Sequence, residues 1–234
     1  MKTLLLNKKE LCRGTWEFTL AKPADTVHQA GQHITVKLPR LLHEDPKGPQ
    51  RTFTLASAPH EADWLIATRM TGSGFKKTLL DLPLNTELEV HGPMGALVRD
   101  ERFPALVFLA GGIGITPFRS MVQDLHHKAL SVEAHLFYAN RSLDSAAYHD
   151  LFIGLAGQSF FAYIPTLNDE PDAAWRGERR ILGMELLQAH LTELDAYAFY
   201  LCGPPGLVTD LTAQLQGGGV NKERIFSESF WGYP

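Results

Sequence analysis

Two glycine-rich runs carry the clearest chemical potential in this sequence: Ala110-Gly111-Gly112-Ile113-Gly114-Ile115-Thr116-Pro117 and Leu201-Cys202-Gly203-Pro204-Pro205-Gly206. Each follows an apolar run and precedes a helical one. Glycines there let the backbone come close to a pyrophosphate, and the helix start behind them offers unpaired N–H groups at the positive end of its dipole. Pro117 suits a first helical turn. A tight strand-to-helix turn would use the same residues, so either run alone leaves both readings open. Taken alone, Cys202 reads as a small buried core residue. A third group, Arg51-Thr52-Phe53-Thr54, puts a guanidinium, an aromatic ring and hydroxyls on one strand. Alternation sends Arg51 and Phe53 to one side and Thr52 and Thr54 to the other. A cation and a flat ring on one face suit a phosphorylated aromatic ligand; an ordinary strand with an exposed arginine is the plainer alternative.

Two kinds of scaffold are needed to position these groups. Residues 1–99 alternate in short stretches, with Trp16, Phe18 and Leu20 on one strand and Ile34, Val36 and Leu38 on another. Further runs at Thr52–Ala56, Trp64–Thr68 and Glu87–Val90, between Pro- and Gly-bearing turns, bring the count to six or so strands, as in a small antiparallel β-barrel. Residues 100–234 change texture. A continuous apolar strand, Ala105–Ala110, is followed by helical spacing over Thr116–Ala129, and apolar strands recur near His135–Ala139, Phe160–Ile164, Ala198–Cys202 and Arg224–Ser227. This predicts an α/β domain with a doubly wound parallel sheet. With strand order 3-2-1-4-5, strands one and four are neighbours where the winding reverses, so both glycine-rich turns flank one crevice. Asn168–Arg180, charged and bearing Pro171 and Gly177, is expected to be an exposed loop.

Bulk composition narrows the function classes. A chain of 234 residues accommodates two ordinary domains, and 44% hydrophobic residues fit a globular protein. A net charge of -4 without a basic run argues against nucleic acid or a membrane surface as partner. Cys12 and Cys202 are the only cysteines, too few for an iron–sulfur cluster, and no metal site is expected. The opening residues lack the apolar run of a signal peptide and no stretch reaches membrane-spanning length, so a cytoplasmic protein is expected.

In combination and order these pieces resemble the ferredoxin-NADP reductase superfamily of flavoenzymes, nearly end to end. The resemblance implies FAD bound by Arg51 on the pyrophosphate, Phe53 against the isoalloxazine and Thr54 near flavin N5, with Thr52 between them. Phe53 departs from the tyrosine of many members, losing a hydroxyl and keeping a flat surface. Thr71–Leu79 is similar to the second flavin-phosphate segment, which assigns Gly74, Phe75, Lys76 and Thr78 to the phosphates. Gly92-Pro93-Met94-Gly95 and Gly31-Gln32 match two further turns of the family. The nicotinamide nucleotide is implied at Gly111, Gly112, Gly114, Ile115 and Thr116 and at Cys202, Gly203 and Pro204. At the aromatic carboxyl end, Glu228 is the candidate acid near the reactive edge, and Phe230 and Tyr233 are candidates to cover the flavin. Thr54, Cys202 and Glu228 are thus the implied catalytic residues. No fused iron–sulfur or haem domain is expected.

The implied activity is electron transfer between NAD(P)H and a one-electron acceptor, with ferredoxin, flavodoxin and an oxygenase component all open and a monomer the simpler expectation. Two rivals remain: an NAD(P)H:flavin reductase that releases flavin as product, and a non-catalytic electron-relay subunit. Strand two of the second domain ends at Asn140-Arg141-Ser142, where a doubly wound fold meets the adenosine ribose. A guanidinium and short polar groups there suit a 2′-phosphate, which predicts NADP(H) over NAD(H). Asp144 lies close enough in sequence to compete for the ribose.

Overall fold

The alternating stretches of the first half become strands that share one interior. In the computed structural model, which describes residues 1–169 and 174–232, they are β1 (Lys2–Cys12), β2 (Thr15–Leu20), β3 (His33–Lys37), β4 (Gln50–Thr54), β5 (Trp64–Arg69) and β6 (Glu87–Met94), with helix α1 (Gly74–Asp81) between the last two. They pair antiparallel in the order β4-β3-β6-β1-β2-β5. The sheet curls until its ends meet, where the Ala56 N–H donates to the Leu65 carbonyl at 2.7 Å. Phe18, Leu20, Ile34, Val36, Trp64 and Ile66, alternate residues along their strands, fill the interior together with Phe75 and Leu79 of α1. Complete burial of such a side chain contributes about 1.5–3 kcal/mol, which fixes the register because a one-residue slip would expose the whole set.

The second half alternates strand and helix: β7 (Ala105–Gly111), α2 (Thr116–His127), β8 (Glu133–Asn140), α3 (His149–Leu155), β9 (Phe161–Leu167), α4 (Met184–His190), β10 (Ala198–Gly203), α5 (Pro205–Gly217) and β11 (Ile225–Ser229). The sheet is parallel in the order β11-β10-β7-β8-β9, which is the expected 3-2-1-4-5 winding counted within this half. Both faces of β7 are covered: Leu106, Phe108 and Ala110 pack with Phe118, Met121, Val122 and Leu125 of α2, and Val107 and Leu109 pack with α4 and α5. The i, i+3, i+4, i+7 spacing of that α2 set is what makes the segment a helix. It stops short of the expected Ala129, which adopts a left-handed φ of 47°. The loop expected over Asn168–Arg180 is tied down in its described part. Glu178 bridges Thr166 on the sheet edge, and its carboxylate pairs with Arg180 at 2.5 Å and His190 at 3.0 Å. No helix of the described residues is long and apolar enough to cross a membrane.

The two sheets are joined along a polar seam. Arg119 on α2 is buried and donates to the Ala56 carbonyl at 2.9 Å and to both carboxylate oxygens of Glu61. Ser120 donates to the Ser57 carbonyl at 2.7 Å, and Tyr148, whose ring lies under the Arg119 guanidinium, donates to Glu17 at 2.7 Å. Arg119→Met keeps the length of the side chain and removes every one of its donated bonds. Because Glu61 stays a quarter exposed, the loss is below that of a fully buried pair, about 2–4 kcal/mol. The expected result is a clearly lowered thermal midpoint, and an unchanged midpoint would show that the seam is held elsewhere.

Candidate functional site

A cavity of about 580 Å³ opens where the barrel meets the parallel sheet, walled by Arg51, Thr52, Phe53 and Thr54 of β4, by Thr71–Gly74 and Lys76 around the start of α1, by Ile113 and Thr116, and by Glu228–Gly232 after β11. The simple alternation expected of β4 does not hold at its end. Thr52 is exposed and shares a 3.1 Å hydrogen bond with Thr35, while Phe53 and Thr54 are both buried, Phe53 in the barrel core against Phe75. The chain leaves the sheet here, with the Leu55 N–H turned to the Gln32 carbonyl, so all four residues reach one cavity. The Thr54 hydroxyl is buried on that wall and has no hydrogen-bond partner among the described residues. An orphaned buried hydroxyl of this kind costs roughly 1–3 kcal/mol and marks a place where a ligand atom would be bonded.

The electrostatics are dominated by cations. Burial first, and then repulsion from Arg51, Arg69 and Lys47, lower the Lys76 ammonium to about 8. Three positive groups, Lys47, Arg51 and Lys76, thus line the cavity, with Arg69 near Lys76 outside its wall, an arrangement that suits a phosphate or pyrophosphate. Inside this set lies one carboxylate, Asp45, on the loop between β3 and β4. It accepts from Arg51 Nη2 at 2.5 Å, Ser73 Oγ at 2.8 Å, the Phe75 N–H at 2.9 Å and the Lys47 N–H at 2.9 Å. Burial opposes its charge, but the donors hold it well below the usual carboxylate range. A second Arg51 nitrogen, Nη1, donates to the carbonyls of Lys47, Gly48 and Gln50.

The α1 segment therefore departs from the sequence expectation. Gly74 and Lys76 lie on the cavity wall, but Phe75 is fully buried and its N–H is taken by Asp45. Thr78 is also fully buried, and its hydroxyl accepts from the Leu42 and His43 N–H groups at 3.0 and 3.1 Å, so it anchors the Asp45 loop and faces no ligand. Gly74 is a glycine for a packing reason, since a Cβ there would sit 2.0 Å from the Glu44 carbonyl oxygen.

The two glycine-rich turns come together as expected. Gly203 lies against Gly111, and a Cβ on Gly114 would meet the Cys202 carbonyl oxygen at 2.3 Å. Gly114 thus serves strand-to-turn packing, and Ile115 is a core residue. Gly206 looks onto open space, and a Cβ on Gly112, whose φ is 52°, would meet only the Arg69 guanidinium, at 3.6 Å. Cys202 corrects the catalytic expectation: it is completely buried in the α2 side of the sheet core and is absent from the cavity wall. Burial, reinforced by the Glu228 charge, pushes its thiol well above the ordinary value. Thr116 lines the cavity while its hydroxyl donates to the Ile113 carbonyl at 3.1 Å. Pro204 is half-buried against Gly111.

Glu228 is on the wall, with Oε1 at 3.6 Å from His33 Nδ1. Phe230 is there too, its N–H donating to the Gly203 carbonyl at 2.8 Å, which ties the tail to the second turn. Tyr233 lies outside the described residues. Trp231, 80% exposed at the cavity rim, is an aromatic the sequence reading passed over. Arg69, Lys47 and Asp45 were missed as well. Arg69 is one charge at the end of an alternating strand, and the others sit in a connecting loop, so no periodicity marks them.

Arg141 and Ser142 line a second cavity of about 1100 Å³, facing Lys9 and Arg13 of the β1–β2 hairpin. Asp144, the competitor for a ribose, is engaged. It accepts from the Ser142 hydroxyl and pairs with Arg13 at 3.1 Å.

Comparison with known proteins agrees with this architecture. The oxidoreductase NAD-binding domain family matches residues 108–213. The chain is 29% identical over 210 residues to the reductase component DmpP of phenol 2-monooxygenase from Pseudomonas sp. (strain CF600), covering 87% of this chain and 58% of that protein. It is 28% identical over 228 residues to the glycine betaine monooxygenase reductase subunit of Pseudomonas aeruginosa (strain UCBPP-PA14), covering 92% and 61%. The chain therefore spans about three fifths of the length of these curated relatives. Among solved structures, a ferredoxin NADP+ reductase from Neisseria gonorrhoeae with bound FAD and NADP superposes with a TM-score of 0.82 over 98% of both chains at 20% identity. Residues 108–213 thus match the oxidoreductase NAD-binding domain, and the fold, a six-stranded antiparallel barrel followed by a parallel α/β sheet, is that of the ferredoxin NADP+ reductase structure.

Proposed function

We propose that the chain binds FAD in the smaller cavity and a nicotinamide dinucleotide beside it, passing electrons between NAD(P)H and a one-electron acceptor. Residues 1–99 form the flavin domain in this reading and residues 100–234 the nucleotide domain. The observation that carries it is the cavity itself. Three cations line it, the orphaned Thr54 hydroxyl and the Phe53 ring lie on its barrel wall, and Ile113 and Thr116 of the nucleotide turn close the other side. These residues fit a flat ring system bearing phosphate. Bound flavin supplies the conversion of hydride transfer into single-electron steps. The protein's part is placement. Thr54 offers its free hydroxyl to a ring nitrogen, Lys76 and Lys47 hold phosphate charge, and Gly112 leaves room for the dinucleotide backbone. Phenol and glycine betaine monooxygenase reductase relatives favour an oxygenase component as acceptor, with ferredoxin or flavodoxin as the other members of the class.

Anaerobic titration of the purified protein with NADH and with NADPH, followed through flavin absorbance, is expected to bleach the flavin. A flavin left oxidised by both would defeat the electron-transfer reading. Flavin that stays with the protein through desalting would separate this reading from release of flavin as a product.

For the dinucleotide, we propose NADP(H), because Arg141 faces a cavity already bearing Lys9 and Arg13 while Asp144 is held by Arg13 and Ser142. Arg141→Ala is expected to raise the KM for NADPH by about tenfold, the loss of one charge-assisted contact, and to leave that for NADH nearly unchanged. Equal losses with both would remove the assignment.

The Lys76 ammonium gives a pH signature. An anionic phosphate beside it raises its proton affinity above the free-site value of about 8, so binding takes up a proton once the pH exceeds that value. FAD affinity is therefore expected to fall as pH rises through about 8, while riboflavin, which has no phosphate, keeps a flat profile. Parallel profiles for the two flavins in equilibrium titrations would place Lys76 away from the phosphate.

A further inference from the structure

The position of Asp45 bears on which flavins the site retains. The groups best suited to a flavin phosphate, the Arg51 guanidinium and the Phe75 N–H in the first turn of α1, converge on a single point, and the chain's own carboxylate is already there. Its side chain is 4% exposed and it accepts four hydrogen bonds from four residues. Ser73 meets the next donor of the helix, the Lys76 N–H at 3.4 Å, so the Phe75 and Lys76 donors of the first turn are both met from within. The loop that carries Asp45 is pinned in turn. Thr78 accepts from Leu42 and His43, and Gly74 lets the Glu44 backbone approach.

We propose that Asp45 is a specificity-determining residue: a resident anion that keeps flavin phosphate off Arg51 and the Phe75 N–H of α1 and so limits how firmly phosphate-bearing flavins are held. The inference rests on the flavin reading above. Two anions cannot share one set of donors, and at close range in a partly buried site their repulsion exceeds the free energy of a tenfold change in affinity. Phosphate is then gripped only from the side of Lys76 and Lys47, and the isoalloxazine supplies most of the retention. Such a site discriminates weakly between riboflavin, FMN and FAD.

The test is a set of equilibrium titrations of the flavin-free full chain with riboflavin, FMN and FAD, for the parent and for Asp45→Asn. Asparagine preserves an oxygen that accepts from the Phe75 N–H and removes the charge. FMN and FAD are expected to tighten by about tenfold or more relative to riboflavin. Equal shifts for all three, or a selective weakening of FMN and FAD, would overturn the proposal and identify Asp45 as a support for Arg51. Should none of the three bind the parent, the flavin reading itself falls, and this inference with it. A measurement on the parent alone is independent of how the variant folds. With Asp45 in place, the 15N-labelled Phe75 amide resonance is expected to move equally on adding riboflavin or FMN. A large additional downfield shift with FMN would mean that phosphate has taken the carboxylate's place, against the proposal.

Discussion

Arg119 is a buried cation on a helix of one domain whose partners lie in the other. Its guanidinium reaches the Ala56 carbonyl and both oxygens of Glu61 in the segment around the β4–β5 junction of the barrel. That segment follows directly from Thr54, and α2 follows directly from Thr116. The ion pair therefore sets the distance between the two walls of the smaller cavity. A charge taken out of water is costly unless it is met by opposite charge in good geometry, so the chain tolerates Arg119 only when the domains sit in this one relation. Tyr148, under the same guanidinium and bonded to Glu17, extends the constraint to the loop after β8 and hence to the larger cavity.

Given that relation, the chemistry of the smaller cavity follows from charge placement. Lys47, Arg51, Arg69 and Lys76 come from three separate stretches of the barrel, and burial first, with repulsion from the other three second, lowers the Lys76 ammonium and favours an arriving anion. Asp45 neutralises part of that field from within. The cluster is in this sense a compromise between a stable ligand-free protein and a strong phosphate site.

Periodicity made most of the architecture legible. Alternation at Phe18–Leu20 and Ile34–Leu38 gave the barrel strands, and the apolar run at Ala105–Ala110 with the spacing of α2 gave the parallel sheet and its winding. The convergence of the two glycine-rich turns followed from that winding. Individual roles were less legible, because a glycine looks the same whether it makes room for a ligand or for a neighbouring strand. Gly114 and Gly74 turned out to serve Cys202 and Glu44, and Thr78 a loop. The Asp45 loop carries no repeat or motif, and what it does depends on pairing across thirty residues of chain, which local pattern does not encode.

The seam also limits how freely the two halves of such a molecule can be exchanged. A nucleotide-binding half carrying an arginine at position 119 brings an unpaired buried cation to any barrel that lacks a carboxylate at position 61, and the reverse exchange strands the acid. The two positions are expected to covary as one inherited unit, although the residues lie 58 apart and neither touches a ligand cavity in common with the other. In a hybrid assembled from two parents, compatibility would be decided at this pair before any question of cofactor or acceptor arose.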